Sequence, residues 1–283
     1  MGFVVHPFTE QKKARWEAEG RGTGHGATYK PWLIEGDMPA DSGTLDRFVC
    51  SLSGRMVITF SSIEQRGRQY YEIAEGTQDI RERVPLDREE TRSIARALGI
   101  PHPKDGDSGT DYVMTTDIVV TQQTDDGTQT LLPRSCLDHR NISHWRMIEH
   151  SEIERRYWAR RKSRWKFLTN EDRCMPKQVF ENLDKLRGNR FPPANQHFEG
   201  QFEALCAALV EAVLRETSLL PLGQWGEKYR VANGLRDGEA NFALLYLVFH
   251  KRLIADLVTS PVLQQRVVDI GRATVRHYQI VVQ

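Results

Sequence analysis

Between residues 113 and 136, VMTTDIVVTQQTDDGTQTLLPRSC, apolar and β-branched positions run to a polar break at Asp125-Asp126-Gly127 and then resume. β-branched residues fit a pleated, half-buried surface. Asp-Gly between two such runs is a hairpin signal. The pattern predicts a paired antiparallel hairpin, with Asp117 inside the first strand between Met114 and Ile118. Upstream, residues 8–19 read as a charged helix. Residues 45–60 alternate as two strands joined near Ser53-Gly54. Residues 61–76 read as a helix capped by Ser61 or Ser62, with Gly67 as its weak point. A strand over 79–87 and a short helix over 88–98 follow. The period then turns helical from about 143 to 163, and SRWKFLT reads as a last strand.

Strands and helices mixed in this way predict an α/β domain ending near Thr169. The stretch LRGNRFPPANQHFEG is rich in Pro, Gly and Asn and reads as linker within 170–200. Beyond it the period is helical. Phe202, Leu205, Leu209 and Val213 share one face, and Phe242, Leu245, Tyr246 and Phe249 share another. RLIADL and YQIVVQ have the composition of short strands, so residues 201–283 read as a helical domain with a wing.

Charge narrows the function classes. With 39 basic and 38 acidic residues, the chain is no uniform polycation, but binding follows local field. Seven basic residues stand among Tyr157, Trp158 and Trp165 in RRYWARRKSRWK, residues 155–166, the best nucleic-acid signal in the chain. Arg155, Arg156, Arg160, Arg161 and Lys162 are the candidate DNA contacts; an amphipathic helix with aromatics inward gives the same pattern. Cys50, Cys136, Cys174 and Cys206 are scattered, which argues against a zinc site or a disulfide framework. No apolar run approaches the roughly 20 residues of a membrane span, and the first twenty residues lack the order of a signal peptide. A cytoplasmic protein is expected. GRGTGHGATYKPWL holds closely spaced glycines but matches neither phosphate-loop fingerprint, and reads as a structured loop.

An acid inside an apolar strand needs a partner or a metal. Asp117 is therefore either a hydrogen-bonded structural residue or a ligand. Glu64, in the first turn of its helix, either complements the helix dipole or meets Asp117 at one end of a sheet. Hard carboxylate oxygens in ones and twos suit Mg²⁺ or Mn²⁺, and such an ion suits phosphodiester hydrolysis.

Four stretches, EGRGTGHGATYKPWL, SSIEQRGRQYYEIAEGTQDIRERVPL, MTTDIVV and IERRYW, together resemble the TnsA family in order and spacing. Those proteins are endonuclease subunits of heteromeric transposases. The resemblance implies a restriction-endonuclease-like α/β domain over 1–169 and a winged-helix-like domain over 201–283 that engages an AAA+ ATPase regulator. It implies cleavage of the 5′ strand at double-stranded transposon ends, beside a partner transposase that handles the 3′ strand. It sets Glu64 and Asp117 as ligands of Mg²⁺ or Mn²⁺, and Glu154 as a further site acid. The family's Gln-x-Lys on the second hairpin strand is missing. Counting without gaps puts the lysine position at Ser135; a hairpin one residue shorter puts it at Arg134, within Leu132-Pro133-Arg134. Arg134 is thus the candidate cation near the scissile phosphate, with Lys162 or Lys166 as substitutes from another element. An arginine keeps charge there but handles protons poorly. The expected function is a metal-dependent DNA endonuclease subunit. The alternative is a weak or inactive endonuclease-fold subunit that binds DNA and bridges transposase and regulator.

Overall fold

A computed structural model describes residues 7–37, 46–124, 126–171, 176–193 and 200–271. The chain divides into two compact units, Met1–Cys174 and Met175–Val281.

The first unit is mixed α/β. Helix α1 spans Glu10–Ala18, capped by Thr9, whose hydroxyl accepts from the Lys12 amide. Strands β1 (Asp46–Val49) and β2 (Met56–Thr59) form a separate antiparallel pair. Helix α2 spans Ser62–Ile73, and the Ser61 hydroxyl accepts the Glu64 amide at 3.1 Å, one of the two caps expected. Then come β3 (Thr77–Pro85), α3 (Arg88–Leu98), β4 (Thr115–Gln123), β5 (Gln129–Cys136), α4 (Trp145–Arg160) and β6 (Lys166–Leu168). The last four strands make one sheet in the order β3-β4-β5-β6, antiparallel except for the parallel β5–β6 edge. Helix α4 links β5 to β6 as a crossover, which is why that pair can be parallel.

Helices α3 and α4 cover one face through Ile94, Ala95, Ile153, Tyr157, Trp158 and Val119. Helix α2 covers the other, and Gly67 sets how close it comes. A Cβ there would lie 2.5 Å from Leu168 Cδ1 and 3.4 Å from Ile118 Cδ1. The glycine that weakens the helix in sequence is what allows the helix onto the sheet. Beneath α2, fully buried Arg68 donates to the Ile80 carbonyl and to Glu82. Arg55 grips the same carboxylate at 2.5 and 2.7 Å. Together these arginines outweigh the burial of Glu82, whose carboxyl lies below its usual range.

Alternation fails at one point of β4. Thr116 Oγ1 and Val119 both meet α4, whereas Ile118 points to α2. Residues 116 and 118 would share a face in a regular strand. On β3, opposite Asp117, Arg83 sits at φ 47°, a left-handed conformation for a residue with a side chain. The two strands change face together, with Asp117 at the step.

The second unit is helical: α5 (Lys177–Arg187), α6 (Phe202–Arg215), α7 (Leu222–Ala232) and α8 (Glu239–Phe249). Helix α8 is its axis, buried from Ala243 to Phe249 and contacted by α5, α6 and α7. A helix that is apolar all round has to be enclosed. Two expectations change. The stretch 170–200 is not all linker, because Val179, Phe180, Leu183 and Leu186 give α5 a buried face. RLIADL is not a strand. The described residues of this unit hold one isolated bridge, Pro221 to Arg266, and no wing, while YQIVVQ lies outside the described residues.

Candidate active site

Asp117 lies at the face change of β4, partly exposed, at a cavity of about 1190 Å³ in the first unit. Glu154, Ser135 and Cys136 line the same cavity. The Asp117 Oδ2 accepts the Cys136 amide of β5 at 2.7 Å. No described residue donates to Oδ1. Burial, then the Glu154 charge, pushes the Asp117 carboxyl up to about 7.

Glu154 projects from α4 across the sheet. Its Oε1 accepts Thr116 Oγ1 at 2.5 Å from β4 and Ser135 Oγ at 2.7 Å from β5. Each hydroxyl in turn accepts an indole N–H, Trp158 on Thr116 and Trp165 on Ser135. The donor sense of both hydroxyls is thereby set toward the carboxylate. This acid ties β4, the strand that carries Asp117, to its neighbour β5. Its own carboxyl is also pushed to about 7 by burial, in spite of these hydrogen bonds.

Glu64 is drawn into the same field. Burial raises it to about 7, and Asp117 adds to the rise. Its oxygens are both engaged: Oε1 accepts Arg83 Nη1 at 2.5 Å, and Oε2 accepts the Phe60 amide at 2.7 Å. The Cys136 thiol is pushed well up by burial and by these three acids. Three acids that repel and are poorly hydrated hold protons or attract a cation. Among the described residues no three His, Cys, Asp or Glu side chains form a ready metal cage. Mg²⁺ does not require one, since it commonly takes one or two carboxylates and completes its shell with other oxygens. The open Oδ1 of Asp117 fits such an ion; Glu64 fits it only by sharing its carboxylate with Arg83.

Arg134 does not take the place expected for it. The register pairs Arg134 with Ile118, on the α2 side, and leaves Ser135 beside Asp117. Arg134 is 7% exposed. Its Nε donates to Tyr71 Oη at 2.7 Å, and Nη1 donates to the carbonyls of Pro133 and Arg164. It is a structural residue that locks β5 to α2. In this register Pro133 and Ser135, the positions that an ungapped count gives to the family's glutamine and lysine, stand on either side of Arg134. Lys166 pairs with Arg134 on the β5–β6 edge, and Lys162 is exposed at the end of α4; neither lines the cavity.

The basic run is exposed but largely answered by acids. Arg155 and Arg156 both bind Glu152, and Arg160 and Arg161 both reach Glu90. Tyr157 and Trp158 are core, and Arg161 stacks over Tyr157 at 3.6 Å. None of these basic residues lines the cavity. Its positive lining comes from residues the sequence reading passed over, among them Arg92, Arg96, Lys104 and Arg146. A signal existed: Arg146 and His150 precede Glu154 at eight and four residues, one face of a helix.

No protein-family model matches the sequence. The TnsA transposition protein of transposon Tn7 from Escherichia coli is 32% identical to it over 204 residues, 72% of each chain. The chain belongs to the TnsA family. Within that family assignment, the hairpin carrying Asp117 is the part whose chemistry departs from expectation, because β5 brings no lysine to the cavity.

Proposed function

We propose that this TnsA-family chain is a metal-dependent DNA endonuclease subunit that cleaves the 5′, non-transferred strand at transposon ends. The observation that carries the reading is Asp117, a carboxylate with one open oxygen at a cavity, in a cluster of three acids each pushed to about 7. Perturbed acids gather at sites of chemistry. Asp117 and Glu64 would hold Mg²⁺ or Mn²⁺, which when bound supplies Lewis acidity and neutralises charge on the phosphodiester. Glu154 positions: it clamps Thr116 and Ser135, and so fixes β4, which carries Asp117, against β5. Arg92, Arg96, Lys104 and Arg146 line the cavity and provide charge for the backbone of double-stranded DNA. The partners are a transposase subunit for the opposite strand and an AAA+ regulator. Residues 201–283 are the regulator-docking part of this reading; among its described residues Leu214, Leu219 and Val231 are the exposed large apolar side chains. The protein works in the cytoplasm.

The test is strand-specific cleavage of labelled transposon ends with purified partners and Mg²⁺. Wild type nicks the 5′ strand, and Asp117→Asn does not while still binding the DNA. Cleavage by Asp117→Asn at the wild-type rate sinks the reading. A second reading, a weak or inactive subunit that binds DNA and bridges transposase and regulator, is favoured by one observation: β5 offers Pro133 and Ser135, with no lysine, toward Asp117. It stands if wild type assembles with both partners on the DNA but cuts neither strand.

A further inference from the structure

We infer that Arg83 supplies from β3 the fixed positive charge that β5 lacks, and that it competes with a divalent cation for Glu64. Arg83 lies opposite Asp117, between the paired positions Glu82–Ile118 and Val84–Thr116. It is 3% exposed. Every nitrogen of its guanidinium is committed: Nη1 to Glu64 Oε1 at 2.5 Å, Nη2 to the Ile58 carbonyl at 2.6 Å, and Nε to the Leu33 carbonyl at 3.0 Å. Its Cζ lies 4.3 Å from the Phe60 ring centre, and the Phe60 amide holds the other oxygen of the same glutamate.

The backbone adds an independent observation. A left-handed conformation at a residue with a side chain is disfavoured and persists where the surroundings impose it. At φ 47°, Arg83 is aimed into the carboxylate cluster by the same step in the sheet that places Asp117. Its charge is felt by Glu64, Asp117 and the Cys136 thiol, and in each case it opposes the effect of burial. Arg134, the arginine that β5 carries, is spent on Tyr71 and two carbonyls. A guanidinium stays charged and does not trade protons. Arg83 therefore acts as a positioning residue, holding Glu64 in place and a fixed positive charge beside the carboxylate cluster.

Two cations cannot both have full use of Glu64. The metal readout follows from that alone, and only the cleavage readout rests on the endonuclease reading. Mn²⁺ binding to the full chain is measured by calorimetry for wild type, Arg83→Gln and Arg83→Lys, with circular dichroism to confirm folding. Arg83→Gln binds Mn²⁺ more tightly, on the order of tenfold, the scale of one charge-assisted contact released. With partners and transposon ends, the same variant cleaves on the order of a hundredfold more slowly, and Arg83→Lys recovers part of the rate. A purely structural arginine would lower both quantities together. Should Arg83→Gln not fold, Arg83→Lys reads the same affinity, which rises by a smaller factor because the charge stays but two donor directions go. Mn²⁺ affinity that is unchanged or weaker in the folded variants overturns the inference. Tighter Mn²⁺ with no cleavage even by wild type leaves Arg83's hold on Glu64 standing and removes the endonuclease reading instead.

Discussion

Replacing Glu154 by glutamine should make the protein more stable at pH 8 and leave it nearly unchanged at pH 4.5. Glutamine keeps an oxygen for the hydroxyls of Thr116 and Ser135 and removes the charge. In the wild type this carboxyl sits near 7 when folded, against an ordinary 4.5. Below 4.5 both folded and unfolded chains hold the proton, so the group contributes nothing. As pH rises through 4.5 the unfolded chain sheds its proton first, and stability falls until the folded carboxyl ionises near 7. At about 1.4 kcal/mol for each pH unit, the loss is about 3 kcal/mol by pH 8. For a unit of this size that is roughly 6–12 °C in Tm. Removing the Glu154 charge also lets Asp117 ionise more easily, which acts in the same direction. The assay is urea unfolding of both proteins, followed by tryptophan fluorescence at pH 4.5, 6, 7 and 8 with a chelator present. The difference between variant and wild type should widen from pH 4.5 to about 7 and then level off toward pH 8. A difference that stays flat with pH, or a wild type that gains stability from pH 5 to 8 relative to the variant, would refute a buried carboxylate at this position.

Three further outcomes follow from the geometry. Arg134→Met should cost about 2–4 kcal/mol in urea unfolding, since it leaves Tyr71 Oη and two carbonyls without their donor, while Mn²⁺ affinity of the folded protein stays within about twofold. Ser135→Lys, which puts a lysine beside Asp117, should restore cleavage to Arg83→Gln in the strand-specific assay; Leu132→Gln with Arg134→Lys should not, because residue 134 faces α2. Gly67→Ala should destabilise by about 1–3 kcal/mol through the clash with Leu168, and thermal unfolding at Tm equal to wild type would show that α2 can move off the sheet freely.

Much of the fold could be read locally. The Asp-Gly turn between β-branched runs, the serine cap before α2 and the periodic faces of α3 and α6 are short-range signals, and these elements lie close to where the pattern puts them. Asp117 stood out for a local reason as well, an acid inside an apolar strand. Helix α4 shows where local reading fails: Ile148 is 53% exposed, whereas Glu154 is buried. Its pattern of charges does not say which face meets the sheet. Helix α5 was hidden by the Pro- and Gly-rich stretch that follows it.

Sequence alone shows which chemistry is on hand: acids at 64, 117 and 154, and no lysine at the hairpin position that the family pattern expects. Which side chains face one another is settled by packing in three dimensions. Register is set by pairing across strands, and one residue of slip turns every side chain to the other face; that is why Arg134 proved structural and Ser135 stands beside Asp117. The step at Arg83 and Asp117 could not be read from alternation, because it is a departure from alternation imposed by packing on both sides of the sheet. The raised carboxyls have the same origin: a pKa is moved by burial and by neighbours distant in sequence, and Glu64, Asp117 and Glu154 become neighbours only when α2, β4 and α4 close on one another.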